Sequence, residues 1–198
     1  MYIYADNAGT TKMSPVAIDA MTKCMNEVFG NPSSLHSTGQ RAAEVLQKAR
    51  EDVAEALGAD FNEIYFTSGG SEADNQAIRS AAYIGARKGK KHIISSKFEH
   101  HAVLHTLDAL KKEGFTVTLL DVYSNGIVKP EDVANAITEE TCLVTIMTAN
   151  NEIGTIQPIT EIGKICKEKG VLFHTDAVQA VGHIPVNVKD MNLSLIHI

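Results

Sequence analysis

The chain has 198 residues, of which 44% are hydrophobic and 21% are charged, and these shares are close to those of soluble globular proteins. This length accommodates one domain with a sizeable core, and the composition excludes the disordered and fibrous classes. The formal net charge is −6 at pH 7, with no long basic run, so we expect small-molecule partners and neither nucleic acid nor an anionic membrane.

Short apolar runs rich in β-branched and aromatic residues recur along the chain and predict buried strands. They are Glu63–Thr67, His92–Ser95, Val117–Asp121, Leu143–Thr148 and Val171–Thr175. Segments with helical periodicity lie between them, most clearly from Ala42 to Leu57. Because strand and helix alternate, we expect an α/β fold with a mostly parallel sheet and helices on both faces. Ligands of such sheets bind beyond the carboxyl ends of the strands.

The N-terminal segment Met1–Ala5 indicates a short strand and has no export signal. No stretch approaches the roughly 18 apolar residues of a membrane span. Further along, Gly30–His36 is predicted to be a loop, and Ser37 or Thr38 is predicted to cap the helix that follows.

Three cysteines, Cys24, Cys142 and Cys166, are far apart and form no C-x-x-C pair. This pattern indicates neither a disulfide framework nor a zinc site, and it favours a reducing cytoplasm. We interpret all three as structural, because free cysteines are commonly buried as small hydrophobic side chains.

A glycine-rich segment, Thr67–Asn75, follows the first predicted strand and opens a helix. Glycines let backbone N–H groups approach an anion, hydroxyls donate further hydrogen bonds, and the helix N-terminus favours negative charge. The segment lacks the lysine of a P-loop and the spacing of a dinucleotide fingerprint. It predicts a phosphate site, with a glycine-rich turn capped by an ordinary serine as the alternative.

Polar segments also follow the other predicted strands. His174–Gln179 places Asp176 in the expected ligand crevice, although a helix-capping aspartate is the alternative. Met147–Thr155 offers amides that bind a ligand without adding charge, or an Asx-turn. Since each segment follows a different strand, all should converge on one crevice if the strands are parallel neighbours.

Histidines cluster in Phe98–His105, again just past a strand. His100 is suited to lie flat on an aromatic cofactor and to move protons. His101 and His105 have the four-residue spacing of a metal pair on a helix, but a third ligand is not evident. We therefore interpret them as structural and predict no metal site.

Taken together, these segments resemble the NifS-like cysteine desulfurases, which are pyridoxal 5'-phosphate (PLP) enzymes of fold type I in the class-V aminotransferase family. The resemblance rests on Tyr4–Thr11, Asn31–His36, Phe66–Asn75, Glu99–Val103, Asn150–Gly154 and His174–Gln179. It implies the fold of the large domain of a PLP-dependent transferase, incomplete here, with PLP as the cofactor.

The resemblance also implies roles for individual residues. Gly70 and Ser71 would contact the cofactor phosphate, and His100 would be the catalytic imidazole stacked on the pyridine ring. Asp176 would bind the ring nitrogen and keep it protonated, so that the ring withdraws electrons.

Two amides would adjust the electron-withdrawing strength of the cofactor ring. Asn151 and Gln179 would lie near the phenolic oxygen of the ring. His36 lies in a loop near the active site of the family, and its role is left open.

For the activity, the resemblance implies that the parent enzyme converts L-cysteine to L-alanine. The sulfur passes as a persulfide to a sulfur-acceptor or scaffold protein, for iron–sulfur clusters or thionucleosides, and the full-length enzyme is a homodimer. A selenocysteine lyase, an aminotransferase or a non-catalytic PLP-binding module are the alternatives.

The end of the chain departs from the family pattern. After Asp190–Asn192 the family continues into a strand and a Ser-x-His-Lys segment, whereas this chain has Leu193–Ile198. We therefore expect residues 1–192 to be the N-terminal part of the transferase and residues 193–198 to be a departing tail. The lysine that holds the cofactor and the cysteine that accepts sulfur are absent, so we expect this chain alone to be inactive. Because an unfinished sheet exposes an apolar edge and face, we also expect the chain to be marginally stable or prone to aggregation.

Overall fold

The computed structural model describes residues 3–198. These residues divide into two compact units, with the boundary between Ile64 and Tyr65. The strand indicated at Met1–Ala5 lies partly outside the described residues, and residues 3–5 have no regular secondary structure. Among residues 3–198, none of the helices combines the length and apolar character that crossing a bilayer requires.

The N-terminal unit contains α1 (Pro15–Glu27), α2 (Ser37–Leu57) and a 3-10 turn at Phe61–Glu63. Ser14 caps α1, because its Oγ accepts a hydrogen bond from the N–H of Ala17 at 3.2 Å. Helix α1 buries none of its residues.

The loop predicted at Gly30–His36 is present, and it ends at a histidine cap. The N–H of Gly39 donates to Nδ1 of His36 at 3.3 Å. The prediction that Ser37 or Thr38 caps this helix is wrong, because α2 already begins at Ser37 and the extended residue before it is His36. A Cβ on buried Gly39 would lie 2.5 Å from the carbonyl oxygen of Ser34, so the loop packs tightly on the first turn of α2.

The C-terminal unit alternates helices and strands. Its helices are α3 (Gly70–Ala86), α4 (His101–Lys112), α5 (Pro130–Ala136) and α6 (Ile159–Glu168). Its strands are β1 (His92–Ser96), β2 (Thr116–Leu120), β3 (Thr141–Thr145), β4 (Leu172–Asp176) and β5 (Leu195–His197). Strands β1 to β4 confirm four of the predicted runs, with shifted ends.

All neighbouring strands of the sheet pair in parallel, in the order β2–β1–β3–β4–β5. The chain leaves β1 toward β2 on one side, and it continues from β3 to β5 on the other. The loops after β1 and β3 therefore diverge, which opens a crevice at the carboxyl edge of the sheet.

Apolar clusters cover both faces of the sheet. One cluster contains Ile78 of α3 and Leu107 of α4 together with Ile93 of β1. The other contains Ile162 of α6 together with Ile94 of β1. Since consecutive strand residues point to opposite faces, Ile93 packs in one cluster and Ile94 in the other. This confirms the predicted α/β fold with helices on both faces.

The strand predicted at Glu63–Thr67 is wrong. Residues 61–63 form the 3-10 turn, and residues 64–67 are not part of any strand. An apolar run favours extended backbone, but a strand also needs a neighbour that satisfies its N–H and C=O groups. Tyr65 and Phe66 are 76% and 50% exposed, so the side chains that suggested a buried strand are not buried.

The last residues of the chain form β5, whose Leu195–His197 pair in parallel with His174–Asp176. The segment predicted to depart from the family, residues 193–198, therefore contributes the fifth strand. The departure from the family pattern itself stays a prediction.

Candidate functional site

A cluster of three polar side chains lies at the carboxyl edge of the sheet. Asp74 comes from α3, His100 precedes α4 after β1, and Asp176 ends β4. One ligand atom of each lies within 4.8 Å of the others. Asp74 and Asp176 are buried and His100 is exposed, so the cluster extends from the interior to the surface.

Asp176 is held in a fixed orientation. Its Oδ1 accepts a hydrogen bond from the N–H of Val178 at 3.1 Å. The helix-capping alternative is wrong, because residues 178–180 form a turn and no helix follows in the described chain. The carboxylate therefore lies where a strand ends, as the sequence predicts.

His100 is the N-cap residue of α4. Its Nδ1 accepts a hydrogen bond from the N–H of Ala102 at 3.2 Å. With Nδ1 acting as an acceptor, the proton of a neutral ring is on Nε2. The helix start thus fixes both the orientation and the tautomer of this imidazole.

The start of α3 forms the predicted glycine-rich turn. Gly69 is its N-cap and makes no side-chain capping bond, so the ordinary serine cap is absent here. Instead Glu72 reaches back and accepts hydrogen bonds from the N–H and the hydroxyl of Ser68, which lowers the pKa of the Glu72 carboxyl. Gly70 and Ser71 form the first turn of the helix, and Ser71 is exposed.

Two buried carboxyl groups near Asp176 have strongly raised pKa values. Burial raises the pKa of Asp74 to about 7, and the charge of Asp176 adds to the rise. Burial also raises the pKa of Glu99 to about 8, although hydrogen bonds from Ser96 and from the N–H of Met147 oppose it. Both carboxyl groups are therefore protonated below neutral pH.

Two histidines of the same region favour the neutral form. Burial, with a contribution from His197, lowers the pKa of His174 to about 3. Burial also lowers the pKa of His197. Within the described residues, Asp74 Oδ1, Glu99 Oε2, His174 Nε2 and His197 Nε2 are buried without a hydrogen-bond partner.

Comparisons with known proteins identify the family. A family model described as "Aminotransferase class-V" matches residues 3–198. The chain is 55% identical over 194 residues to "Cysteine desulfurase IscS" of Clostridium botulinum, which covers 98% of this chain and 49% of that protein. The chain belongs to the class-V aminotransferase family. It spans about half the length of the curated relatives it matches.

Solved structures agree with this membership. A structure titled "NIFS-LIKE PROTEIN" has a TM-score of 0.93 and 40% identity, covering 98% of this chain and 53% of its own. Another, "SspA in complex with cysteine", has a TM-score of 0.91 and 38% identity, covering 96% and 54%. This class-V aminotransferase chain therefore has the PLP-dependent transferase fold, and its relatives are PLP-dependent.

The residues of the cluster fit PLP. A pyridinium nitrogen requires a carboxylate, and the buried Asp176 offers one at the end of a strand. A phosphate requires backbone donors, which the glycine-rich start of α3 provides. The carboxylate of Asp176 and the glycine-rich turn both lie next to His197 of β5. His197 pairs with Asp176, and its Nε2 lies 2.6 Å from the position that a Cβ on Gly70 would occupy.

The remaining predicted residues lie in turns after the strands. Asn151 follows β3 and Gln179 follows β4, and both are half-buried. The Asx-turn alternative applies to the neighbouring Asn150, whose Oδ1 accepts the N–H groups of Glu152 and Ile153 at 2.8 and 3.0 Å. Asn151 and Gln179 are thus at the correct edge of the sheet, and their cofactor contacts stay a prediction.

The paired histidines of α4 and the three cysteines lie outside this cluster. His101 and His105 stack on exposed turns of α4, with ring centroids 5.5 Å apart. Cys142 and Cys166 are buried, and burial raises the pKa of both thiols, to about 12 for Cys166. Cys24 is exposed on α1, so the expectation of a buried side chain is wrong for this residue.

Sequence reasoning gave no role to Asp74 and Glu99. For Asp74 a signal exists, because it occupies the same helical face as Ile78, Ala81 and Ala82, which are all buried. The apolar periodicity of α3 therefore predicts burial at position 74. For Glu99 no periodic pattern exists, since it lies in the short connection between β1 and α4.

We predict that Glu99→Gln makes the protein less sensitive to alkaline pH. The raised pKa means that folding favours the protonated carboxyl of Glu99. The stability that this group contributes is therefore fully present below about pH 4 and is lost as the pH rises through about 8. A glutamine amide keeps the hydrogen bonds from Ser96 and Met147 and cannot ionise. Urea unfolding at pH 5 and pH 8.5 should show a smaller loss of stability in Glu99→Gln than in the wild type.

The matched control for this measurement is Glu161→Gln, at an exposed position of α6. It should follow the wild-type dependence on pH. Equal losses in all three proteins would contradict a buried, protonated Glu99.

Proposed function

We propose that this chain supplies the PLP-binding half of a cysteine desulfurase. The observation that carries the proposal is the cluster at the carboxyl edge, in which Asp176 and His100 lie within 4.8 Å of Asp74. A buried carboxylate and an imidazole meet there at the end of parallel strands, which is where α/β proteins bind ligands. The 55% identity with a protein named cysteine desulfurase supports the choice of activity.

In this proposal each residue has one task. Asp176 accepts a hydrogen bond from the protonated nitrogen of the cofactor ring, because a carboxylate favours the charged form of a nearby base. His100 lies on the ring face, oriented by its hydrogen bond from Ala102. Gly70 and Ser71 donate to the phosphate at the start of α3, and Asn151 and Gln179 donate near the phenolic oxygen. PLP, when bound, supplies an electron sink for reactions at the substrate carbon.

The substrate and partners follow from the family. We propose L-cysteine as the substrate, L-alanine as the product, and a sulfur-acceptor or scaffold protein as the recipient of sulfur. One structural relative is titled as a complex with cysteine, which supports this substrate class. We also propose that the whole enzyme is a homodimer and acts in the cytoplasm, where the free Cys24 stays reduced.

We expect the chain to bind PLP non-covalently and to lose affinity when Asp176 is replaced. Asp176→Ala removes the charge that holds the ring nitrogen, so the dissociation constant should rise at least tenfold, or about 1.4 kcal/mol. Equilibrium dialysis monitored by PLP absorbance measures this change. His100→Ala should weaken binding less, because stacking adds area but no charge.

Asp190→Asn is the matched control, since Asp190 is exposed and lies in a turn before β5. It should bind PLP like the wild type. If Asp176→Ala and the wild type had equal affinity, the assigned position of the ring nitrogen would be wrong.

The activity is tested with a chimera in which residues 3–192 replace the matching half of the C. botulinum relative. We expect this chimera to release sulfide and alanine in equal amounts from L-cysteine under reducing conditions. Introducing Asp176→Ala into it should reduce the rate at least a hundredfold, about 2.7 kcal/mol of barrier. A folded, PLP-loaded chimera that transaminates but releases no sulfide would favour an aminotransferase instead.

A further inference from the structure

Asp74 has a deeply buried carboxyl group that the proposed function does not use. The residue is 1% exposed, and its Oδ1 makes no hydrogen bond within the described part of the chain. Nε2 of His174 lies 3.6 Å from it, and this atom also has no hydrogen-bond partner there. Buried polar groups are normally satisfied, so two unsatisfied atoms facing each other need an explanation.

The other nitrogen of His174 is already engaged. Its Nδ1 lies 2.8 Å from the hydroxyl of Thr145 on β3. When Nδ1 carries the ring proton and donates it to this hydroxyl, Nε2 becomes an acceptor that faces Asp74. An acceptor requires a donor, and a carboxyl group donates only when it is protonated.

His174 and Asp176 point to the same face of the sheet, because they are two residues apart on β4. Asp74 therefore lies against both of them. His100 and Glu99 approach from the connection before α4, and His197 approaches from β5. The surrounding histidine His174 is fully buried and its burial favours the neutral ring, so it does not balance a charge on Asp74.

Two carboxyl groups this close are not both ionised without a large cost. The proton goes to the group that is harder to solvate. Asp74 is 1% exposed and Asp176 is 7% exposed, and Asp176 also accepts an N–H bond from Val178 that favours its ionised form. Burial and the charge of Asp176 both raise the pKa of Asp74.

We propose that Asp74 is a positioning residue whose protonated carboxyl donates a hydrogen bond to Nε2 of His174, which leaves Asp176 as the charged carboxylate of the pair. The meaning of this charge for a cofactor rests on the proposed function, whereas the hydrogen bond exists without the cofactor. An ionised Asp74 would place a second negative charge beside Asp176. It would also accept a hydrogen bond from Nε2 of His174, which requires the opposite tautomer of that ring. The hydrogen bond therefore fixes which carboxylate of the site is negative.

The proposal is tested by NMR on the chain without added cofactor at pH 6. We expect 15N shifts of His174 to show a proton on Nδ1 and a hydrogen-bonded, unprotonated Nε2. Carboxyl 13C shifts should show Asp74 as the acid and Asp176 as the carboxylate, with assignments made from Asp74→Asn and Asp176→Asn. A proton on Nε2 together with an ionised Asp74 would overturn the proposal.

Asp74→Asn separates hydrogen bonding from charge, because its amide also donates to Nε2. The tautomer of His174 should be unchanged in Asp74→Asn and in the exposed control Asp190→Asn. If Asp74→Asn moved the ring proton from Nε2 to Nδ1, Asp74 would be an acceptor in the wild type and the proposal would fail. If Asp74→Asn did not fold, the 15N shifts of His174 in the wild type alone would still decide, because a proton on Nε2 would overturn the proposal.

The same samples distinguish this inference from the proposed function. A wild-type chain that shows the expected tautomer but binds no PLP would contradict the proposed function and leave the hydrogen bond intact. PLP binding together with the opposite tautomer would contradict the hydrogen bond and leave the proposed function intact.

Discussion

The site depends on the parallel pairing of β1, β3 and β4. Parallel neighbours end at the same edge of a sheet, so the residues that follow them are brought together although they are far apart in sequence. His100 and Asp176 meet for this reason, and α3 adds Asp74 from the layer above. The helices on both faces bury the strands and fix this arrangement.

Burial then determines the chemistry of the carboxyl groups. Three of them, on Asp74, Glu99 and Asp176, interact with one another electrostatically. Within a buried region such groups have different affinities for protons, and a cation is attracted to the one that stays ionised. Glu99 is held by Ser96 and Met147, whereas Asp74 faces an unsatisfied nitrogen of His174. Asp176 is the most exposed of the three and accepts an N–H bond from Val178, which is why we assign the charge of the site to Asp176.

Much of the fold follows from local patterns. The strands β1 to β4 were predicted from apolar runs, and the parallel sheet was predicted from their alternation with helices. The run at Glu63–Thr67 has the same composition but is not a strand, because a single run carries no information about its neighbour. The sequence predicts Ser37 or Thr38 as the cap of α2 because hydroxyls are common caps, whereas a histidine nitrogen performs this role here.

The candidate site also contains residues that sequence patterns predict and residues that they do not. Asp176 and His100 were predicted because each follows a strand, and the structure brings them together. The interaction between Asp74 and His174 joins a helix to a strand about a hundred residues later, and no pattern along the chain predicts such a pair. Asn151 and Gln179 lie in turns at the correct edge, and their contacts depend on a ligand.

The central claim is that Asp176 holds the nitrogen of a cofactor ring. The most direct measurement is the 15N chemical shift of PLP labelled at the pyridine nitrogen and bound to the chain. We expect the shift of a protonated nitrogen, which should revert toward that of a neutral pyridine in Asp176→Asn. A bound cofactor with an unprotonated nitrogen in the wild type, or with the same shift in both proteins, would contradict it.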